Sequence, residues 1–336
     1  MMASKRAWIG RSTLLVAGLG VGAGLLYRTE LSYQVHETAI MTRPIFDPPG
    51  IKYAQVQHPD AQVRGWVVGM PPPARRPGVQ RIIAVGDSLT WGLGVEVAEA
   101  WPAQLMSVLP GTEVYNLGTC GYDAEQGVSL ITTKLAAWQP DVVVFGHYSN
   151  DVDPTFLMFG AHDEHPVFIG TSVPPAARML PESLSLWLVR HSAWFRQVQA
   201  AKLARVLSGG VTPDRPAGWY PRQLDALRAW SVTTAIPVLA LAIPDHTQAA
   251  PERCTEFIAE KDCRDQVEAY ARITAALTEA DLPWVDGQAI YAASGQPHFM
   301  GTGRDTGHPT PEGHRVLARG VAPRVAAILA GRGTRN

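Results

Sequence analysis

Short runs of apolar residues recur along the chain, and each ends in small or polar residues. Continuous apolar runs of this length are typical of strands buried on both faces. The runs occupy residues 82–85, 114–117, 141–146, 236–242 and 282–286. Helical patterns separate them, and these cover residues 101–106, 123–138, 223–235, 265–280 and 311–329. This alternation predicts an α/β domain with a parallel sheet and helices on both faces, over residues 78–332.

The alternation is interrupted between residues 152 and 217, where apolar residues are spread at helical spacing and no buried strand is indicated. We interpret this segment as a helical insert, an amphipathic helix or a helix pair, within the sheet domain. Residues 29–77 are broken repeatedly by proline, and short alternating runs such as 63–68 indicate small edge strands. This part is interpreted as a stalk and a β-rich flap.

The first 28 residues carry a membrane-type pattern. Lys5, Arg6 and Arg11 precede 16 uncharged residues, 12–27, which Arg28 closes. That length lies between the core of a signal peptide and a full transmembrane helix. We favour an uncleaved signal anchor over residues 1–28, with a cleaved signal peptide and secretion as the alternative. Positive charge before the run predicts a cytoplasmic tip and an extracytoplasmic catalytic domain, in the periplasm or on the cell surface.

Composition narrows the function classes. The net charge is −1 over 336 residues, so no basic excess indicates nucleic-acid binding, and 46% hydrophobic residues suffice for a large core. Cys254 and Cys263 lie close together in a polar stretch, which leaves a local disulfide or two free thiols open. No spaced Cys and His set indicates a structural zinc site.

Four polar blocks lie where chemistry is expected. The first three follow predicted strands, and the fourth precedes the last helix. In parallel sheets the carboxyl ends of the strands share one edge, where ligands bind. The blocks are Gly86-Asp87-Ser88-Leu89, Asn116-Leu117-Gly118-Thr119-Cys120-Gly121, Gly146-His147-Tyr148-Ser149-Asn150-Asp151 and Asp305-Thr306-Gly307-His308-Pro309.

In their order and spacing, these blocks resemble the SGNH hydrolases, also called GDSL esterases and lipases. The resemblance covers about residues 80–330. It implies a three-layer, flavodoxin-like α/β/α domain and an acyl-enzyme mechanism that needs no metal or organic cofactor. The substrate class that it implies is small-molecule, lipid or glycan esters.

The residue types fit this chemistry. A serine hydroxyl is a weak nucleophile until a base removes its proton. We expect Ser88 as the nucleophile, His308 as the base and Asp305 as the acid that fixes the histidine tautomer. The resemblance also implies an oxyanion hole formed by the backbone N–H groups of Ser88 and Gly121 and the side chain of Asn150. Asp87 is expected to orient the turn.

The sequence departs from the family pattern at His147 and Tyr148, which stand where small residues are usual before the asparagine. They are expected to narrow the site or to alter acyl-chain preference. Cys120 beside Gly121 is not expected to act as a rival nucleophile, since no environment that lowers a thiol pKa is evident.

Three further features have structural explanations that need no catalytic or metal-binding role. His314 is expected to be structural. The acidic and histidine cluster at residues 162–165 lacks a third spaced ligand and is interpreted as a solvated loop rather than a metal site. Leu157, Met158 and Phe159 could line an acyl pocket or belong to the core.

The sequence therefore predicts a membrane-anchored, extracytoplasmic carboxylic ester hydrolase, possible substrates being acylated glycans or lipids of the cell envelope. One alternative is an O-acyltransferase in which a glycan hydroxyl replaces water. A second is a non-catalytic glycan-binding protein on the same fold. The sequence does not indicate an oligomeric state.

Overall fold

A five-stranded, fully parallel sheet organises the larger of two units into which the chain divides. The computed structural model describes residues 24–25, 27–28, 42–44, 53–55, 72–152, 158–161, 165–168, 179–208, 218–256, 260–295, 299 and 307–332. The strands are β1 (Thr42–Pro44), β2 (Tyr53–Gln55), β3 (Gln80–Val85), β4 (Thr112–Asn116), β5 (Val142–His147), β6 (Met158–Ala161), β7 (His165–Phe168), β8 (Val238–Ala242) and β9 (Trp284–Asp286). The order in the large sheet is β4-β3-β5-β8-β9, which confirms the predicted parallel arrangement.

The helices alternate with these strands. They are α1 (Ser88–Trp91), α2 (Trp101–Val108), α3 (Ala124–Leu130), α4 (Ala136–Trp138), α5 (Glu182–His191), α6 (Ala193–Ser208), α7 (Trp219–Thr234), α8 (His246–Ala249), α9 (Glu260–Glu279), α10 (Gly287–Ser294) and α11 (Pro311–Ala330). A π-helical turn, Ile131–Leu135, joins α3 to α4. Short 3-10 turns lie at Val97–Glu99, Ser149–Val152 and Pro251–Glu256.

Alternate residues of the strands face opposite layers of helices. Ile82 and Val144 point to one face, where they share a core with Trp101 of α2 and Leu317 of α11. On the other face, Gly127 allows α3 to pack closely on Phe145. A side chain at this position would overlap the phenyl ring. Helices therefore cover both faces of the sheet, as the uninterrupted apolar strands predict.

The amino ends of β3, β4 and β5 hold a buried ionic cluster. Arg81 is only 1% exposed, and its guanidinium lies 2.6 Å from the carboxylate of Glu113. The backbone N–H of Arg81 donates to the carboxylate of Asp141. Arg75 and Arg76, in the segment leading to β3, pair with Asp141 and Glu113 at 2.6 and 2.8 Å. These bonds attach residues 73–76 to the sheet at the edge opposite Ser88.

The smaller unit comprises residues 1–43 and 156–213. It contains α5 and α6, which lie within the segment interpreted as helical, and an antiparallel hairpin of β6 and β7 that the sequence did not indicate. Each hairpin strand has four residues, and Gly160 and Pro166 lie opposite each other in it, so its pattern is too short and irregular to predict.

Of the predicted membrane segment, only Gly24, Leu25, Tyr27 and Arg28 are described, and they are helical. Within the described ranges, no helix is both long and apolar enough to cross a membrane. The anchor therefore stays a prediction, as do the boundaries proposed for residues 29–77, most of which lie outside the described ranges.

Cys254 and Cys263 form a disulfide with their Cα atoms 5.8 Å apart. The sequence left this bridge and two free thiols open, and it predicted the following helix only from residue 265. The structure instead starts α9 at Glu260, so the bridge joins a 3-10 turn to the first turn of that helix. Helix α10 was also not predicted, since Asp286 both ends β9 and caps the helix.

Candidate active site

Ser88 lies where β3 ends and is the first residue of the short helix α1. The carboxylate of Asp87 accepts a hydrogen bond of 2.9 Å from the backbone N–H of Leu89 and so caps this helix. Asp87 is buried, whereas Ser88 is half-buried. The turn therefore holds the serine at the surface of the sheet edge and keeps its preceding carboxylate inside.

Three glycines allow α1 to lie directly on the strand ends. A methyl group at Gly86, Gly118 or Gly146 would come within 2.3–2.9 Å of the side chain of Thr90. Gly86 and Gly118 follow β3 and β4, and Gly146 is the last residue but one of β5, so three neighbouring chain segments share a close contact with Thr90. The position of Ser88 relative to the sheet depends on this absence of side chains.

The second block is tied to the first by an asparagine. Asn116 donates from its side-chain amide to the carbonyl of Thr90 at 2.9 Å, and its own oxygen accepts from the N–H of Gly118 at 3.0 Å. The loop then turns at Gly121, which has a φ of 75°. This left-handed conformation is one that glycine adopts without strain.

The third block forms the 3-10 turn Ser149–Val152 directly after β5. The side-chain amide of Asn150 donates to the carbonyl of Tyr122, next to Gly121, at 2.9 Å. Asp151 fastens the turn, because its carboxylate accepts from the N–H of Tyr148 and its own N–H donates to the Tyr148 carbonyl, both at 2.9 Å. The second and third blocks therefore meet.

The fourth block brings a histidine to the serine. The Nε2 atom of His308 lies 2.8 Å from the hydroxyl oxygen of Ser88, although 220 residues separate them. Two residues later, Thr310 caps α11 through a hydrogen bond from the N–H of Gly313 at 3.1 Å, and Pro311 begins the helix. Asp305 lies outside the described residues, so the expected contact with His308 stays a prediction.

Comparison with known proteins bears on this arrangement. A sequence profile described as the GDSL-like Lipase/Acylhydrolase family matches residues 84–316, more than two thirds of the chain. This chain belongs to the GDSL-like lipase/acylhydrolase family. A search of curated proteins finds no match.

Solved structures similar to this GDSL-like chain share little sequence with it. A lipolytic protein of the G-D-S-L family from Veillonella parvula has 14% identity and a TM-score of 0.43, over 73% of this chain and 97% of that chain. A carbohydrate acetylesterase family member from Sinorhizobium meliloti has 16% identity and a TM-score of 0.38, over 75% and 100%. A lipase/acylhydrolase from Enterococcus faecalis has 14% identity and a TM-score of 0.43, over 77% and 100%.

Two buried carboxyls lie behind the serine of this GDSL-like chain. Burial, together with the negative charge of Asp151, raises the pKa of Asp87 to about 7. Burial likewise raises the pKa of Asp151 well above its ordinary value. Loss of hydration disfavours the ionised form of both groups, and the two charges repel each other.

His147 belongs to the interior of the domain. It has no exposed surface, its ring lies 4.1 Å from that of Phe145, and its Nδ1 is 3.1 Å from the hydroxyl of Tyr220. Burial lowers its pKa to about 3, so the 3.4 Å approach to Asp151 is a contact of neutral imidazole rather than an ion pair. Tyr148, the other departure from the family pattern, is half-buried and lies beside Gly307.

Two other candidate residues occupy half-buried and fully buried positions. Cys120 is half-buried and takes no part in the disulfide. His314 is fully buried on α11, where its Nδ1 accepts from the N–H of Trp101 at 3.3 Å. Met158 and Phe159 lie in β6, while Leu157 and residues 162–164 fall outside the described ranges. Among the residues described, no group of histidine, cysteine and acidic side chains is arranged to hold a metal ion.

Sequence reasoning assigned no role to Thr90, Asn116 or Asp245. Asp245 accepts a hydrogen bond of 3.0 Å from the hydroxyl of Tyr148, which is a residue of the third block. It follows the buried strand β8 by three residues. The expectation that functional residues follow buried strands could therefore have identified Asp245. No family motif marks this position.

Proposed function

We propose that this chain is a serine hydrolase of carboxylic esters, with Ser88 as nucleophile, His308 as general base and Asp305 as the acid that orients the histidine. The observation that carries this proposal is the 2.8 Å separation between His308 Nε2 and Ser88 Oγ. A base must lie within hydrogen-bond reach of the proton that it removes, and this distance meets that requirement.

The reaction follows the usual two steps of acyl transfer. As His308 Nε2 takes the hydroxyl proton, Ser88 Oγ attacks the ester carbonyl and a tetrahedral oxyanion forms. When the intermediate collapses, the carbon–oxygen bond to the alcohol breaks and the alcohol leaves with that proton. Water, deprotonated by the same nitrogen, then attacks the acyl carbon. The bond from that carbon to Ser88 Oγ breaks, the acid leaves, and Nε2 returns the proton to Oγ. For Nε2 to accept, the proton of neutral His308 must be on Nδ1, where Asp305 is proposed to hold it.

The oxyanion is proposed to bind the backbone N–H groups of Ser88 and Gly121 and the side-chain amide of Asn150. The contact of Asn150 with the carbonyl of Tyr122 supports this assignment, because it uses one amide proton and leaves the second for the substrate. The same bond brings Asn150 to the residue that follows Gly121. Donors fixed in this way need no reorganisation as charge develops.

Hydrolysis of p-nitrophenyl acetate and butyrate by the full chain tests the proposal. We expect turnover by the wild type, loss of at least about 10³-fold in Ser88→Ala, and labelling of Ser88 by a fluorophosphonate. Ser107→Ala, on the exposed side of α2, is the matched control and should retain full activity. If wild type and Ser88→Ala were equally inert and Ser88 stayed unlabelled, the proposal would be wrong.

The same assay with added glycan acceptors separates hydrolysis from O-acyl transfer. Free acid is the product if water accepts the acyl group, and an acylated glycan is the product if a sugar hydroxyl accepts it.

We further propose that the enzyme is anchored in a membrane with its catalytic domain outside the cytoplasm. The uncharged run at 12–27 and the disulfide between Cys254 and Cys263 support this location, since disulfides persist in oxidising compartments. Carbonate extraction and protease digestion of sealed, right-side-out vesicles test it. Release by carbonate, or protection of the catalytic domain until detergent is added, would contradict it.

A further inference from the structure

Tyr148 joins the asparagine turn of the site to Asp245, and its hydroxyl lies near Gly307. Its backbone belongs to the turn that carries Asn150, where the N–H of Tyr148 donates to Asp151 and the Tyr148 carbonyl accepts from it. Its side chain leaves that turn and packs against the core of the domain. The hydroxyl then donates to the carboxylate of Asp245 at 3.0 Å.

Asp245 is a rigid acceptor. It is 5% exposed and caps α8, and its Oδ1 atom accepts from the N–H and the hydroxyl of Thr247 and from the N–H of Gln248 at 2.6–2.9 Å. The bond from Tyr148 uses the other oxygen, Oδ2. Because the cap fixes the carboxylate plane, the direction from which the phenol approaches is also fixed.

The same hydroxyl borders the segment that carries the proposed base. A Cβ atom at Gly307 would lie 3.9 Å from the Tyr148 hydroxyl, an ordinary van der Waals distance. The next residue, His308, is the one that reaches Ser88. One side chain therefore joins the asparagine turn to the corner after β8, and it ends beside the histidine segment.

We propose that Tyr148 is a positioning residue that sets the placement of His308 and Asn150 around Ser88 through its hydrogen bond to Asp245. This inference rests on the proposed function for its kinetic consequence. Without the phenolic hydroxyl, the asparagine turn loses its bond to Asp245 and the histidine segment loses a neighbouring group, while no proposed substrate-binding group is removed. The loss should therefore appear in kcat rather than in KM.

The chain offers a matched control in Tyr270. Its hydroxyl donates to Asp286 at 2.7 Å, and Asp286 ends β9 and caps α10, as Asp245 follows β8 and caps α8. The two pairs are thus built alike, but the hydroxyl of Tyr270 contacts Ala242 and Gln288 rather than the site blocks. Tyr270→Phe measures what a tyrosine–aspartate bond contributes to the fold alone.

The test compares Tyr148→Phe and Tyr270→Phe in the full chain. We expect Tyr148→Phe to lower kcat roughly 5- to 30-fold with KM within about twofold, since slight misplacement of catalytic groups reduces turnover. Tyr270→Phe should change neither constant. Equal kinetics for the two variants, or a change in KM alone, would overturn the proposal.

A second measurement does not depend on activity. In Tyr148→Phe, hydrogen–deuterium exchange should accelerate both in residues 149–152 and in residues 307–310, whereas Tyr270→Phe should affect neither segment. Exchange that is unchanged at 307–310 would overturn the proposed link to His308 even in an active enzyme. An inactive wild type would contradict the proposed function, while the exchange result would still decide the role of Tyr148.

Discussion

Asn150 and Tyr122 are joined by a hydrogen bond of 2.9 Å from the side-chain amide of one to the carbonyl of the other. The bond crosses between two loops at the ends of different strands. It fixes the amide plane of Asn150 without using both of its protons. The asparagine is therefore held in a donor orientation before any ester is bound.

Replacing Asn150 by alanine should reduce kcat by about 10²–10³-fold, the usual cost of one oxyanion donor. The fold should be nearly unaffected, because a single hydrogen bond contributes on the order of 1 kcal/mol. Steady-state kinetics with p-nitrophenyl butyrate and a thermal melt of the same sample measure the two effects. A drop in kcat of less than about tenfold would argue against a role for Asn150 in binding the oxyanion.

Gly118→Ala should displace α1 and with it Ser88. A methyl group there would lie 2.4 Å from the backbone nitrogen of Trp91, a contact that no side-chain rotation relieves. A shift of about 1 Å in catalytic groups can cost about 10²-fold in rate. Gly331→Ala is the control, since its φ is −70° and its nearest atoms are at least 3.6 Å away. Equal rates of fluorophosphonate labelling in both variants would contradict this prediction.

Asp87 and His147 should give opposite slopes of stability against pH. The pKa of Asp87 is raised to about 7, so between about pH 4 and pH 7 the folded chain holds a proton that the unfolded chain lacks. This contribution makes the free energy of unfolding fall as pH rises. The pKa of His147 is lowered to about 3, so below its ordinary value of 6.5 the unfolded chain holds the extra proton. That contribution makes the free energy of unfolding rise with pH.

Chemical denaturation between pH 4.5 and 6.5 measures both contributions. Asp87→Asn should make the slope more positive by about 1.4 kcal/mol per pH unit, and His147→Phe should make it more negative by a similar amount. Equal slopes in wild type and both variants, or changes of the reversed sign, would show that these groups do not titrate as the buried environment requires.

The disulfide should contribute to stability but not to chemistry. Its two sulfurs are buried and close a short loop, for which chain entropy predicts about 2–3 kcal/mol. The double variant Cys254→Ser and Cys263→Ser should unfold at lower denaturant concentration with kcat and KM unchanged at 25 °C. Unchanged stability, or a loss of kcat in the folded variant, would contradict this prediction. Treating the wild type with a reductant should reproduce the shift, and Cys120→Ser is the control for thiol modification.

Much of the fold could be predicted because strands such as β3 and β5 are buried on both faces and read as uninterrupted apolar runs. These runs predicted the parallel sheet. The shared carboxyl edge of its strands then predicted that Ser88 and His308 lie close together. Tertiary contacts that leave no periodic mark could not be predicted. The pairing of Tyr148 with Asp245 depends on two side chains from different strand ends, and neither belongs to a repeating pattern.

The ionic cluster around Arg81 determines where the preceding segment enters the sheet domain. Residues 73–76 are attached at the amino edge of the sheet, and β3 spans six residues, or about 20 Å, from that edge to Ser88. The segment that leads into β3 is thus held at the amino edge of the sheet, whereas Ser88 lies at the carboxyl edge. Whatever precedes residue 73 therefore joins the sheet one strand's length from the proposed nucleophile.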